Sequence, residues 1–254
     1  MSNNLNHIML GVPIGSGDLR DITELAISSI EHRSKALVFV CANPHSLVLA
    51  QKDPIFKQAL CNADIVVADG VGVTMMASLV NRDVGPRIAG EEFYKSLLNE
   101  LNIAGKGRIF FFGSSSNVLE KIKQRFHKDY PSLTTCGVLS PPYREWTEYE
   151  NTEMIKTINH SQPDVLWVGM TAPKQEKWVQ ENRARLNVPV IGSIGAVFDF
   201  YAGTYPRAPG WMCQIGLEWL YRLINEPRRM WRRNFISNPK FVLLVVWKHL
   251  LKRV

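Results

Sequence analysis

Short apolar segments alternate along the chain with longer segments of helical period. The apolar segments cover residues 8–12, 37–41, 65–68, 109–112, 165–168 and 190–194. Several of them, such as VFVCA and IFFFG, are apolar without interruption, which is typical of strands buried on both faces of a parallel sheet. The helical patterns cover residues 18–33, 44–60, 71–80, 90–103, 115–128, 148–160 and 173–185. This alternation predicts an α/β fold with a mainly parallel sheet flanked by helices.

The pattern changes near residues 202–205, where we expect a domain boundary. Residues 204–254 show no strand-like alternation and predict two or three short helices, broken at Pro227 and Pro239. We therefore divide the chain into an α/β core over residues 1–203 and a helical appendage over residues 204–254. The longest apolar run of the chain, FVLLVVW, is too short to span a bilayer.

The basic excess of the chain is concentrated at its C-terminus. The formal net charge is +7, yet residues 201–254 hold 10 Lys and Arg against Glu218 and Glu226, which leaves the rest slightly acidic. Four of the seven tryptophans lie in the same segment. This asymmetry indicates an anionic partner: a membrane surface, a nucleic acid or a phosphorylated ligand. Interleaved aromatic and basic residues favour an anionic membrane, and we expect no nucleic acid because no nucleic-acid motif accompanies them.

Terminal and cysteine patterns indicate a cytoplasmic protein. The start of the chain, MSNNLNHIML, has no basic region followed by an apolar one, as a secretory signal would require. The four cysteines are far apart and form neither a CxxC pair nor a zinc-binding spacing.

Small and polar residues follow the predicted strands, where ligands of parallel α/β folds bind. The positions after the strands hold Asn43, Asp69, Gly113, Gln175 and Asp199. Each one taken alone is explained as well by capping of the next helix as by function. Asp69 stands out because an apolar run ends in it and then turns through two glycines, in the stretch VVADGVGV.

The motifs that the sequence lacks exclude several classes of catalytic and binding site. The sequence contains no GxGxxG, no P-loop, no GxSxG, no HxxxH and no Asp-x-Asp pair for a divalent ion. Catalysis would then depend on a carboxylate base and on positive charge at a leaving group, with Asp69 and Arg87 as candidates in the core. In the appendage, Arg222, Arg229 and Arg232 fall on one face if the helix resumes after Pro227.

Six blocks of the sequence resemble those of a known family. In order along the chain, they are NPHSLVLAQKDPIFKQALCNADIVVADGVGVTMMA, PRIAGEEF, FFFGSS, VGMTAPKQEKW, GAVFDFYAG and RAPGWMCQIGLEWLYRLINEPRR. They are similar to the WecG/TagA/CpsF glycosyltransferases (glycosyltransferase family 26), from about residue 8 to residue 240. The resemblance implies a Rossmann-like core and a C-terminal appendage that docks on the membrane and helps to complete the active site.

The resemblance also implies a reaction. Family members move a hexose, with inversion and without a required metal, from a UDP-sugar to a polyprenyl-diphosphate-linked saccharide. The product feeds a surface polysaccharide, such as an exopolysaccharide, a teichoic acid or an enterobacterial-type antigen. N-acetylmannosamine, its uronic acid and glucose all stay open as the hexose, and no cofactor is expected. The enzyme would be peripheral on the inner face of the membrane, and apolar surface on the appendage could drive self-association when no membrane is present.

Residue roles follow from the same resemblance. Asp69 aligns with the family's proposed general base and Arg87 with a cation of the pocket. Asn43 and Gln175 align with polar residues of the pocket. The appendage arginines that align with diphosphate contacts are Arg222, Arg229 and Arg232.

One position departs from the family pattern. Cys41 stands where the family usually has Thr, and a thiol is a weak hydrogen-bond donor. The change bears on the identity of the sugar rather than on the reaction type. Together with Cys41, the strand-end residues Gly113 and Asp199 complete the set of expected substrate contacts.

Two other functions remain open from the sequence. The chain could be another nucleotide-sugar enzyme, such as an epimerase or dehydrogenase, although the dinucleotide fingerprint of such enzymes is missing. It could also be a non-catalytic scaffold at the membrane, in which case it would bind no UDP-sugar.

Overall fold

A computed structural model describes residues 7–15, 17–33, 36–206, 208–214 and 218–248. A two-stranded antiparallel hairpin, β1 (Ile8–Met9) and β2 (Val12–Pro13), opens the fold. The main sheet has six strands, all parallel, in the spatial order β4-β3-β8-β7-β5-β6. They are β3 (Leu37–Ala42), β4 (Ile65–Ala68), β5 (Arg108–Gly113), β6 (Thr134–Leu139), β7 (Val165–Gly169) and β8 (Val190–Ser193).

Helices cover both faces of this sheet. Those of the core are α1 (Leu19–Glu31), α2 (Pro44–Ala50), α3 (Pro54–Cys61), α4 (Val71–Leu79), α5 (Gly90–Ile103), α6 (Ser116–Asp129), α7 (Glu148–His160), α8 (Lys174–Asn182) and α9 (Val197–Tyr201). The C-terminal helices are α10 (Gly210–Gln214), α11 (Glu218–Asn225), α12 (Pro227–Arg232) and α13 (Asn238–Val246), with a π-helical turn, Arg233–Ser237, between the last two. The predicted α/β fold with a parallel sheet flanked by helices is therefore confirmed.

Two separate hydrophobic clusters explain the continuous apolar strands. Val38 and Val40 of β3 belong to the cluster under α2, α3, α4, α7 and α8, whereas Phe39 belongs to the cluster under α1, α5, α6 and α9. Successive side chains of a strand point to opposite faces, so both faces of β3 need apolar residues. The same double burial accounts for IFFFG in β5 and VLWVG in β7.

Three sequence predictions were wrong in detail. Residues 8–12 form two short strands joined at Leu10 and Gly11, which have φ of 52° and 80°, and they lie outside the main sheet. Strand β6 was not predicted because TTCGVL is an edge strand whose side chains are half-buried or exposed. The pattern over 44–60 contains two helices, since Pro54 starts α3 with Asp53 as its cap.

The predicted break at Pro239 was also wrong. Pro239 lies in the first turn of α13, and the chain is helical on both sides of it. A proline supplies no N–H and clashes with the carbonyl four residues earlier. The π-helical turn accommodates this, because the Asn238 N–H donates to the carbonyl of Arg233, five residues earlier.

Helix α13 shares the hydrophobic core of the sheet. Phe241 and Val245 of α13 are 1% and 0% exposed and belong to the same cluster as Val48 of α2 and Val73 of α4. The domain boundary near residues 202–205 was predicted from the change in sequence pattern, and it stays a prediction. Within the described ranges, no helix is both long and apolar enough to cross a membrane.

Candidate active site

A crevice is expected at the carboxyl edge of the sheet, where the connections that follow neighbouring strands β3 and β8 run in different directions. The chain leaves β3 toward β4 at one edge. From β8 it enters α9, whose Phe198 ring occupies the space where a side chain on Gly169 of β7 would stand. In parallel sheets such a divergence between neighbouring strands opens a ligand site. The residues beyond β3, β4 and β8 therefore define the candidate site.

Asp69 lies at this edge, directly after β4. Its backbone N–H donates to the carbonyl of Ala42 at 2.9 Å, which joins the ends of β4 and β3. The side chain is half-buried, and Gly70, rather than Asp69, occupies the N-cap position of α4. Gly70 has φ of 95°, and apart from its two neighbours in the chain no residue has an atom within 4 Å of the place where its Cβ would stand. The glycine thus leaves open space beside the carboxylate.

Cys41, near the end of β3, was expected to contact the substrate. Cys41 is half-buried, and its Sγ lies 3.2 Å from the Cβ position of Gly90. Burial, followed by the negative charges of Asp69 and Glu176, raises the pKa of the Cys41 thiol well above its usual value. The thiol therefore stays protonated and can donate a hydrogen bond at neutral pH.

Asn43 has a structural role that the sequence left open. Its Oδ1 accepts from the Ser46 N–H at 3.0 Å, and its own N–H donates to Ser46 Oγ at 2.8 Å. This reciprocal pair is the capping box of α2. The cap orients Asn43 at the carboxyl end of β3, beside the candidate site.

Arg87 lies next to the same edge but pairs with a carboxylate. It forms an isolated parallel bridge with Ala68, and the Ile88 N–H donates to the Ala68 carbonyl at 3.0 Å. Its guanidinium is 2.8 Å from Glu92 Oε1, and the two side chains are 35% and 38% exposed. Both line a cavity of about 840 Å³ between α1 and α5.

In the structure, Gly113 and Asp199 contribute through their backbone atoms. Gly113 has φ of 117°, and a Cβ there would come 2.6 Å from the Gly169 carbonyl oxygen, so β5 and β7 approach as closely as they do only with glycine. Asp199 lies in the first turn of α9, and its carbonyl accepts from the Thr204 N–H and Oγ1, both at 3.0 Å.

Gln175 is a predicted site residue with a buried side chain. It is 5% exposed; its Oε1 accepts from the Met170 N–H at 3.2 Å and its Nε2 donates to Glu176 Oε1 at 2.8 Å. Glu176 itself is 4% exposed, and burial raises the pKa of its carboxyl to about 7, against the opposing effects of the Gln175 hydrogen bond and of Arg233. Glu176 was not predicted as a site residue, because the block APKQE does not reveal which of its side chains are buried.

The appendage arginines are placed differently from one another. Arg222 is half-buried, with 16% of its side chain exposed, and its guanidinium lies 5.2 Å from the centre of the Phe200 ring of α9. Its Nε is 3.7 Å from Glu226 Oε1, and among the described residues no acceptor within hydrogen-bond distance meets its Nε or Nη2. Arg232 is exposed beside the Trp231 ring. The side chain of Arg229 lies outside the described part of the structure.

Arg233, which was not predicted, begins the π-helical turn that follows α12. The π-helical turn is held against α2, since buried Ser237 has its Oγ 2.8 Å from His45 Nδ1. Burial, and then the charge of Arg233, lower the pKa of His45, and the same charge lowers that of Glu176. Helical spacing had favoured Arg232, but the π turn shifts the register and carries Arg233 toward the core.

The residues proposed for the site are one half-buried carboxylate, neutral hydrogen-bonding groups and arginines of the core and of the C-terminal helices. Such a set suits proton abstraction from a hydroxyl beside a negatively charged leaving group. In the parts of the chain that the structure covers, no three His, Cys, Asp or Glu side chains converge as ligands of a metal ion.

Comparisons with known proteins agree with this chemistry. The family model described as "Glycosyl transferase WecG/TagA/CpsF family" matches residues 7–254. The chain is 34% identical over 209 residues to the N-acetylglucosaminyldiphosphoundecaprenol N-acetyl-beta-D-mannosaminyltransferase of Bacillus subtilis, covering 82% of this chain and 78% of the relative. The enzyme of the same name from Bacillus spizizenii is 32% identical over 217 residues (85% and 81%), and that from Staphylococcus aureus strain MW2 is 25% identical over 232 residues (91% and 89%). The chain therefore belongs to the WecG/TagA/CpsF family of glycosyl transferases.

Proposed function

We propose that this protein transfers an N-acetylmannosamine residue, with inversion, from a UDP-sugar to a polyprenyl-diphosphate-linked N-acetylglucosamine. The relatives named for this transfer support it, because two of them exceed 30% identity over about four fifths of both chains. The observation in the structure that carries the proposal is the half-buried Asp69 carboxylate at the edge of β4, with open space beside Gly70. Among the sugars considered from the sequence, the uronic acid and glucose are the alternatives that the assay must compare.

The proposed reaction is a single displacement. The acceptor hydroxyl oxygen attacks the anomeric carbon of the donor, and the bond from that carbon to the UDP oxygen breaks with its electron pair. Asp69 takes the hydroxyl proton as general base, so that the oxygen is a better nucleophile as the new bond forms. UDP leaves with one more negative charge, and the carboxyl of Asp69 returns its proton to solvent.

Positive side chains replace a metal ion in this proposal. The departing diphosphate needs charge stabilisation, which oriented cations supply well at a partly dehydrated site. Arg222 suits this role because its guanidinium is largely buried, and in the described residues its Nη2 has no hydrogen-bond acceptor. Arg87 would join it by exchanging Glu92 for a phosphate, and Arg229 and Arg232 would contact the diphosphate from α12. The thiol of Cys41, the cap residue Asn43 and the amide of Gln175 would orient the donor, between Gly113 and Asp199.

The acceptor's lipid would bring the reaction to the membrane. Large apolar side chains of the C-terminal helices are exposed, among them Trp211, Trp219, Trp231, Phe235 and Trp247, at 44–66% of their surface. Rings of this kind, beside Lys and Arg, suit the headgroup level of an anionic bilayer. We infer a peripheral location on the inner face of the cell membrane. The same surface would pair copies of the chain when no membrane is present.

A transfer assay tests the proposal. UDP release is measured with UDP-N-acetylmannosamine, its uronic acid analogue and UDP-glucose, each with a short-chain polyprenyl-diphosphate N-acetylglucosamine, with and without EDTA. We expect acceptor-dependent release from UDP-N-acetylmannosamine that EDTA leaves unchanged. Turnover of a UDP-sugar without an acceptor, or only with a nicotinamide cofactor, would favour an epimerase or dehydrogenase. No binding of any UDP-sugar would favour a scaffold.

A further inference from the structure

Helix α4, which follows the proposed base Asp69, presents an apolar face to solvent. Val71, Met75 and Leu79 are 42%, 67% and 60% exposed. They recur every four residues, so they form one apolar stripe along the helix, on the side opposite Val73, which is buried in the core. The stripe begins two residues after Asp69 and extends over about 12 Å.

The composition of α4 is unusual for an exposed helix. Its sequence, VGVTMMASL, contains no Asp, Glu, Lys or Arg. Among the core helices that the structure describes, α2 is the other one without these residues, and α2 is covered by α13 and the π-helical turn, which contact it. Exposed helix faces usually carry charged side chains, and an exposed apolar patch commonly marks a binding surface. Helix α4 thus keeps an apolar face that the described residues leave open.

Helix α13 joins α4 to the surface that is proposed to meet the membrane. The two helices are in contact, and Met76 of α4 and Leu244 of α13 pack against the same hydrophobic cluster. Helix α13 also exposes Val242 and Leu243, at 42% and 68% of their surface. Helix α4 therefore has a helix of the proposed membrane surface at its side and Asp69 just before its first turn.

The acceptor of the proposed reaction has the chemistry that such a surface suits. It carries a sugar hydroxyl at one end and a polyprenyl chain at the other, with the diphosphate between them. When the hydroxyl is at Asp69, the rest of the acceptor can pass beside Gly70, where the space is open. Met75 and Leu79 lie one and two helical turns beyond Val71, in the direction that leads away from the base. An unbranched, flexible side chain such as that of Met adapts to a hydrocarbon of variable shape.

We propose that the apolar stripe of α4 binds the first isoprene units of the acceptor's polyprenyl chain and so guides the acceptor from the membrane to Asp69. This rests on the proposed function, which gives the acceptor its chain. Contact with the chain removes the stripe from water, so an acceptor that carries a chain binds more tightly than one that lacks it. The stripe would select a lipid-linked acceptor, whereas the residues at the strand ends would bind the donor.

The test compares two acceptors that share a diphosphate-linked N-acetylglucosamine, one on a farnesyl chain and one on a methyl group. The quantity measured is the chain preference, which is kcat/KM for the farnesyl acceptor divided by kcat/KM for the methyl acceptor. The double variant Met75→Gln/Leu79→Gln should lower the chain preference about tenfold, since polar side chains would then face the hydrocarbon. Ile103→Gln is the matched control at the end of α5, where Ile103 is 80% exposed, and it should leave the chain preference unchanged. A double variant with the chain preference of the wild type would overturn the proposal.

Two further measurements distinguish the acceptor's chain from other occupants of the stripe. Binding to phosphatidylglycerol vesicles is measured without acceptor, and the double variant should bind them as the wild type does. A loss of vesicle binding as large as the loss of chain preference would make the stripe a membrane contact and overturn the proposal. Self-association that the double variant loses, with the chain preference unchanged, would instead assign the stripe to a second copy of the chain.

Binding of farnesyl diphosphate, measured by calorimetry, is a readout that needs no sugar transfer. The double variant should bind it about tenfold more weakly than the wild type does. That loss, found in a protein that transfers no sugar, would refute the proposed reaction and keep the chain site. A protein that transfers sugar with an unchanged chain preference in the double variant would refute the chain site alone.

Discussion

Replacing Glu176 by Gln is expected to change how the stability of the protein depends on pH. In the folded protein, burial raises the pKa of this carboxyl from 4.5 to about 7. Each pKa unit of difference between folded and unfolded chain corresponds to about 1.4 kcal/mol, so the full effect is about 3 kcal/mol. The folded state binds the proton more tightly than the unfolded state. The stability that the neutral group allows is therefore complete below about pH 4.5 and is lost as the pH rises through 7.

The assay is the free energy of unfolding in urea, measured at intervals from pH 5 to pH 8 for the wild type and for Glu176→Gln. The difference between the two cancels groups that titrate in both, such as the histidines. We expect the variant to gain stability relative to the wild type as the pH rises, by about 2 to 3 kcal/mol over this range. If the two curves run parallel, Glu176 ionises as it does in the unfolded chain, and the argument from its burial is wrong.

Three other substitutions test the packing of the strands beside the site and two of the proposed substrate contacts. In a urea titration, Gly113→Ala should lower the free energy of unfolding by about 2 kcal/mol or more, because the added Cβ would stand 2.6 Å from a carbonyl oxygen. Gly210→Ala is the control. No neighbouring atom lies within 4 Å of its Cβ position, so the same titration should show a loss under about 1 kcal/mol. Arg222→Met should lower kcat/KM about 100-fold, with Arg228→Met near wild type. Cys41→Thr should lower KM for the donor about fivefold, because a hydroxyl donates a stronger hydrogen bond than a thiol; an unchanged KM would show that this side chain makes no contact with the donor.

Most of the sheet could be predicted from the sequence because its strands are buried on both faces. Strands β3, β4, β5, β7 and β8 are nearly continuous apolar runs, and each was predicted to within a residue or two. Edge strand β6 has no such run, since the side chains of TTCGVL are exposed or half-buried. The hairpin at residues 8–12 was mistaken for a sheet strand because two residues with positive φ are not visible in an apolar pattern.

The strand pattern predicts site residues only in the segments that follow strands. Asp69 was predicted from its position directly after β4, and Gln175 from the segment that leads from β7 into α8; both roles stay predictions. Glu176 and Arg233 were missed for a different reason. Their interaction depends on burial and on a π-helical turn, and it joins positions 57 residues apart in a chain whose local spacing favoured Arg232.

The measurement that tests the central claim most directly is sugar transfer by Asp69→Asn, which keeps the shape of the side chain and removes its basicity. UDP binding by calorimetry and acceptor-dependent UDP release are measured for the variant and the wild type. We predict that UDP binds with an affinity within about threefold of the wild type, while kcat falls by at least about 100-fold. Full transfer activity in the variant would show that Asp69 is not the base of this glycosyltransferase.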